Sequence, residues 1–317
     1  MKDILRNSAP LQTAVLLLVF NRPETTAQVF EAIRKAKPPR LYIAADGPRA
    51  DRAGEDERVA KVREMATAVD WPCEVKTLFR EDNLGCKYAV SGGITWFFEH
   101  EEQGIILEDD CLPSQSFFWF CEKYLEKFRN NKKIFSVNGS NYASYDCSEW
   151  HMQDIIYADV DVWGWATWRD RWSQYGHTLS DVRRGLLSVD FIKFAFTYFP
   201  IAQEIVINSI KSAYGIINTW DYPWTLSVLS VGGVAVTPRM NLIENIGFGP
   251  DATHTSTKPE LRSVPIEEGC RLEVRLSPIE LNKQYLKAIH KRSFLSIIRN
   301  NLKLIYFLSK IFIQNDR

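Results

Sequence analysis

From Ala14 to Phe20 the chain is apolar at every position, without the alternation that marks a strand wetted on one face. A strand of that kind is buried on both sides, which requires helices above and below its sheet. The next hundred residues follow that plan. Asn21-Arg22-Pro23 turns the chain, and Pro23 suits the first turn of a helix carrying Val29, Phe30 and Ile33 inward. Leu41 to Ala45 reads as a second strand, closed by Asp46-Gly47-Pro48. A charged helix from Glu55 to Ala68 follows, then a third strand through Val75, Leu78 and Phe79. Asn83-Leu84-Gly85 opens a helix to His100, and Gly104 to Leu107 is a fourth strand ending in Glu108-Asp109-Asp110. Helices so regularly placed between short strands predict an α/β fold with a mostly parallel sheet flanked by helices.

The carboxyl ends of parallel strands share one edge, where ligands bind in folds of this class. That edge would gather Asn21 and Arg22, Asp46 to Arg49, and the acidic triplet. Neighbouring carboxylates repel each other unless a cation sits among them. A hard divalent ion, Mg2+ or Mn2+, is held by one or two carboxylates and completed by phosphate oxygens. Arg22 can grip a phosphate or carbonyl with its fork of donors. Asp46 can accept from a base imide or a ribose hydroxyl. The same residue types also make ordinary caps and turns, and that reading stands beside the first.

The 317 residues are 45% hydrophobic and 25% charged, which describes a folded globular chain. Lys plus Arg and Asp plus Glu are both 39, so no general affinity for nucleic acid is expected. The six cysteines are dispersed without zinc spacing, and Leu16 to Phe20 is too short for a secretory signal. These features predict reduced thiols and a cytoplasmic protein. P-loop, dinucleotide-binding and nucleophile-elbow patterns are missing from the sequence, which sets aside kinase, dehydrogenase and hydrolase readings.

The stretch from Val15 to Glu24, together with Ala44-Ala45-Asp46-Gly47-Pro48, Asn83-Leu84-Gly85 and Ile106 to Pro113, resembles GT-A glycosyltransferases. The likeness is to the bacterial surface-polysaccharide type, distantly similar to the inverting N-acetylglucosaminyltransferase I family, and covers roughly the first 250 residues. It implies a GT-A (Rossmann-like nucleotide-diphospho-sugar transferase) fold and a nucleotide-sugar donor, UDP-linked by resemblance. By the same likeness Asp110 is a metal ligand, Asp109 faces ribose and donor sugar, and Glu108 touches the transferred sugar. Asp46 and Arg22, with Asn21, would meet base or phosphate; Asn83, Gly85 and Lys87 would pass over the donor. Many relatives write Asp-X-Asp where this chain has Glu-Asp-Asp, a form known in the inverting branch.

Further along, Trp163, Trp165, Trp168 and Trp172 fall within ten positions. On a helix, Trp165, Trp168 and Trp172 share a face, which suits core packing. Alternatively Trp163, Trp165, Trp168 and Trp220 stack on acceptor sugars, as the acceptor-side loop of inverting relatives implies. Asp159 and Asp161 are additional candidate sugar contacts. Asp221, flanked by aromatics, is the candidate general base, and equally a helix N-cap for Tyr222 to Val231; Glu244 and Asp251 are lesser candidates. The Gly-rich loop Asn245 to Thr255 ends near His254, which the resemblance makes a second metal ligand.

Residues 1–140 would form the donor-binding half, 141–280 the acceptor-binding and catalytic half of the same domain, and 281–317 a basic helical tail. In that tail Phe294, Ile298, Ile305, Leu308 and Phe312 recur at helical spacing among lysines and arginines. The pattern fits peripheral contact with an inner-membrane surface, where a lipid-linked saccharide acceptor is found, or packing against protein. Two other functions share parts of this pattern. A sugar-phosphate nucleotidyltransferase needs a Gly-rich basic loop after the first strand, where this chain has Phe20-Asn21-Arg22-Pro23. A non-catalytic carbohydrate- or nucleotide-binding module would not need the acidic triplet.

Overall fold

The computed structural model describes residues 10–141, 155–158, 160–238 and 241–248. The first half alternates strand and helix: β1 (Val15–Val19), α1 (Pro23–Ala36), β2 (Arg40–Ala45), α2 (Glu55–Thr67), β3 (Glu74–Phe79), α3 (Gly85–His100) and β4 (Gln103–Glu108). Then come β5 (Cys111–Pro113), α4 (Gln115–Phe128), β6 (Ile134–Asn138), β7 (Ile155–Ala158), β8 (Trp165–Trp168) and the one-turn α5 (Arg169–Trp172). Helices α6 (Leu179–Leu186), α7 (Val189–Thr197), α8 (Phe199–Ala213) and α9 (Asp221–Ser230) precede β9 (Val234–Pro238) and β10 (Ile243–Asn245).

Eight strands form one sheet in the order β3-β2-β1-β4-β8-β6-β9-β7. Pairing is parallel from β3 to β4 and between β6 and β9; β8 and β7 run against their neighbours. This is the mostly parallel, helix-flanked α/β sheet that the sequence predicts. Strands from both sides of residue 140 share it, with β8 lying between β4 and β6.

Alternate residues of β1 feed opposite layers. Val15, Leu17 and Val19 join Val29 and Ile33 of α1 and the aromatic face of α4 in one core. Leu16 and Leu18 join Ile94 and Phe97 of α3 in the other. Burying each such leucine contributes about 1.5–3 kcal/mol, which is why a strand with no polar position is stable here. A third core, built from Phe191, Phe194, Ile201 and Ile205, seats α6 to α8 on Leu226 and Leu229 of α9.

The tryptophan-rich segment is not the helix that its spacing allowed. Trp165 to Trp168 is a strand, so its side chains alternate: Trp168 enters the first core and Trp165 the second. Trp165, Trp172, Trp220 and Trp224 form one aromatic cluster with ring centroids 5.1–6.2 Å apart. No helix among the described residues is long and apolar enough to cross a membrane.

Candidate functional site

The edge formed by the carboxyl ends of β1, β2 and β4 opens into a cavity of about 210 Å³. Its lining includes Phe20 and Arg22 after β1, Asp46 and Arg49 after β2, Arg80 after β3, and Glu108 and Asp109 at the end of β4. Asn83, Gly85, Cys86 and Asn218 close it from the α3 side. Parallel pairing gathers the strand-end groups, and the whole lining spans 200 residues of sequence, the separation of Leu18 and Asn218.

Arg22 organises the acidic edge. Its guanidinium donates to Asp109 and, at 3.0 Å, to Asp110. Asp109 also accepts the backbone N–H of Phe20 at 3.3 Å. Burial works against the charge on Arg22, but the two carboxylates hold its pKa above the ordinary value. Burial pushes the carboxyl of Glu108 well above the usual range, and the charges of Asp110 and Asp109 push it further. Burial likewise raises Asp109, with Arg22 opposing the rise. Behind this edge, Ile246 donates its N–H to the Asp110 carbonyl at 2.8 Å. Gly247 lies so close that a Cβ there would sit 2.2 Å from an Asp110 carboxylate oxygen. The start of the Asn245 loop is therefore packed directly on Asp110.

On the opposite wall, Asp46 is committed to the chain itself. Its carboxylate accepts the N–H groups of Gly47, Leu84 and Gly85 at 2.9–3.1 Å. It lines the cavity, but its oxygens fix the loop into α3, so the free acceptor expected for a base or ribose is a structural tie. Asn83 donates to the Gly47 carbonyl at 2.7 Å and strengthens the same junction. Gly85, at φ +75°, turns the chain into α3 in a conformation that L residues rarely adopt. Asn21 donates to Glu55 at 2.8 Å rather than entering the cavity. Lys87 also departs from expectation: it is buried in α3, and its ammonium donates to the Ser212 carbonyl at 2.8 Å.

Asp221 stands at the first helical position of α9, with Trp220 at the cap position, and its side chain accepts the hydroxyl of Thr219. It does not cap the helix as a side chain. Its charge is felt in the cavity: the Cys86 thiol is pushed up by burial, then by Glu108, Asp221, Asp110 and Asp46. Three expected acceptor platforms are corrected. Trp165, Trp168 and Trp220 are 0%, 2% and 2% exposed, and the packing that holds them leaves no open ring face for a sugar. Trp163 is half-buried and meets Phe248 edge-on, with centroids 5.9 Å apart. Asp161 accepts the N–H of Trp163 at 2.9 Å, and Glu244 lies in β10 opposite Leu112. Asp159, Asp251, His254 and the tail lie outside the described residues.

Sequence reasoning overlooked four groups. Glu55 reads as one acid in a charged helix, yet its side chain is 0% exposed and joins Arg49 to Asn21. Burial would raise its pKa, but the hydrogen bonds from Arg49 and Asn21 outweigh that and bring it to about 2. Arg80 follows β3 as Arg22 follows β1, a signal that could have found it; its buried Nη1 has no protein partner. Cys86 and Asn218 carry no recognisable sequence signal.

Among the described residues no group of three or more His, Cys, Asp or Glu converges as a ready metal cage. The Asp110 side chain is 15% exposed beside the buried carboxylate of Asp109, and both carboxylates accept from Arg22.

No protein-family model matches this chain, and no curated protein matches it. Among solved structures it is similar to an apo UDP-glucose pyrophosphorylase, at 6% identity over 74% of this chain and 93% of that one, with a TM-score of 0.37. HddC from Yersinia pseudotuberculosis matches at 9% identity over 52% of this chain and 81% of that one, with a TM-score of 0.32. Mouse xyloside xylosyltransferase 1, in its apo form, matches at 9% identity over 68% and 81%, with a TM-score of 0.30.

Proposed function

We propose that this chain is a metal-dependent inverting glycosyltransferase. It would move a sugar from a nucleotide diphosphate donor, a UDP-sugar by its sequence resemblance, to a glycan or lipid-linked saccharide in bacterial surface polysaccharide synthesis. One observation carries the reading: guanidinium groups of Arg22, Arg49 and Arg80 share a cavity with the carboxylates of Glu108 and Asp109. A diphosphate donor presents anionic oxygens for the arginines and hydroxyls for the carboxylates. The unpartnered Nη1 of Arg80 is a buried donor without an acceptor, and a ligand oxygen would satisfy it.

In this reading Arg22 aligns Asp109 and Asp110, while Arg80 and Arg49 bind the donor. A divalent ion held by Asp110, with His254 as second ligand, would supply charge to offset that gathering on the departing nucleoside diphosphate. Asp221 takes the proton of the acceptor hydroxyl as its oxygen attacks the anomeric carbon from the side opposite the diphosphate. The bond from that carbon to the diphosphate oxygen breaks, so the configuration inverts. The bound Thr219 hydroxyl keeps the Asp221 carboxylate oriented for this work.

The test is a panel of nucleotide sugars with Mn2+, scoring release of nucleoside diphosphate. Release from a UDP-sugar that disappears in Asp110→Ala supports the proposal. Pyrophosphate released from UTP and a sugar 1-phosphate would mark a nucleotidyltransferase instead. Tight UDP binding with no turnover of any donor would mark a binding module.

A further inference from the structure

Helix α7 is apolar on two opposite faces. Phe191 and Phe194 point into the core shared with α8 and α9. Val189, Ile192 and Phe196, at helical spacing on the other side, are all exposed, Phe196 by 87%. Leu187, just before the helix, is 77% exposed, and Phe199 at the start of α8 is 63% exposed. Single exposed apolar residues are ordinary; five large ones within thirteen positions of chain make a patch that calls for a partner.

The charges around the patch choose that partner. Arg183 lies one turn before Leu187, and Lys193 lies on the exposed face of α7 between Val189 and Phe196; both are exposed, as is Arg184. Of the nearby acids, Asp181 accepts from Thr178 in a capping box and also pairs with Arg184 at 3.5 Å, and Asp190 lies against Gly232. Apolar side chains rimmed by cations suit the boundary of an anionic bilayer, where the rings enter the headgroup region and the cations meet lipid phosphates. The basic tail of this chain is a poorer match, since its lysines and arginines would face those of the patch.

We propose that the exposed face of α7, with Leu187 and Phe199, docks on an anionic lipid surface. The inference does not depend on the enzymatic reading, because none of these apolar residues lines the cavity.

The experiment is co-sedimentation of the full chain with phosphatidylcholine vesicles, with or without phosphatidylglycerol. Wild type should pellet with the anionic vesicles alone. The double variant Phe196→Ser, Phe199→Ser should lower that partitioning at least about tenfold with an unchanged circular dichroism spectrum; a second pair, Leu187→Ser with Val189→Ser, should act alike. Replacing Arg183, Arg184 and Lys193 by Gln should weaken binding and reduce its salt dependence. Undiminished binding in both serine pairs would overturn the proposal, and so would failure of wild type to bind. A wild-type dimer that becomes monomeric in the serine variants, without vesicle binding, would show that a second copy covers the patch and would likewise overturn it.

Discussion

The side-chain carbonyl of Asn218 accepts the backbone N–H of Lys87 at 2.7 Å, so a residue 131 positions away caps the first turn of α3. Asp46 satisfies the adjoining N–H groups of Leu84 and Gly85. The wall of the cavity is thus assembled from three separate segments of chain.

Removing that cap should loosen the wall. Asn218→Ala is expected to cost about 0.5–2 kcal/mol of stability, the usual range for a lost helix cap. Urea unfolding measures it; a midpoint equal to wild type would show that water replaces the amide at no cost.

The ion pairs of Arg22 predict a pH signature. Glu108 and Asp109 titrate above their ordinary values in the folded state, so their favourable contribution is present at low pH and lost as pH rises through the folded values. Arg22→Ala would leave Asp109 and Asp110 without their cation. In the presence of a chelator it should destabilise the protein by about 3–5 kcal/mol at pH 8, and by less at pH 6. Melting temperatures of both proteins across that interval test the slope, and a pH-independent gap would contradict it.

Glu55 predicts the reverse slope. Its folded pKa of about 2 lies below the ordinary 4.5, so its contribution is present above pH 4.5 and fades as pH falls through about 2. Glu55→Gln should therefore lose about 1–3 kcal/mol at pH 7. The difference from wild type should shrink steadily below pH 4.5 in acid titrations followed by tryptophan fluorescence.

For the reaction, Asp221→Asn should leave UDP affinity within about twofold while kcat falls about 10²–10⁴-fold, the range for loss of a general base. Calorimetric binding and steady-state rates separate the two quantities. NMR of the product anomer gives the independent check, since retained configuration would rule out a single displacement assisted by Asp221.

The parallel half of the fold was legible because each of its strands is a short apolar run closed by turn residues. Val15–Val19 and Arg40–Ala45 fall almost where periodicity puts them. The convergence of Arg22 with the acidic triplet follows from strand direction alone. Trp165 was ambiguous for a physical reason: a four-residue apolar segment satisfies helix and strand patterns alike, and only its neighbours β4 and β6 decide. Asn218 and Glu55 were invisible because their roles depend on tertiary partners. A buried carboxylate in a charged helix has the same letters as a solvated one.

The position of β8 bears on how the chain is made. Translation delivers β4 well before Trp165–Trp168, the strand that must lie against it. At ordinary synthesis rates that interval is roughly 3–12 s. For that time the hydrogen-bonding flank of β4 on the growing polypeptide is an open strand edge, met by water and exposed to pairing with other chains until the later strand arrives.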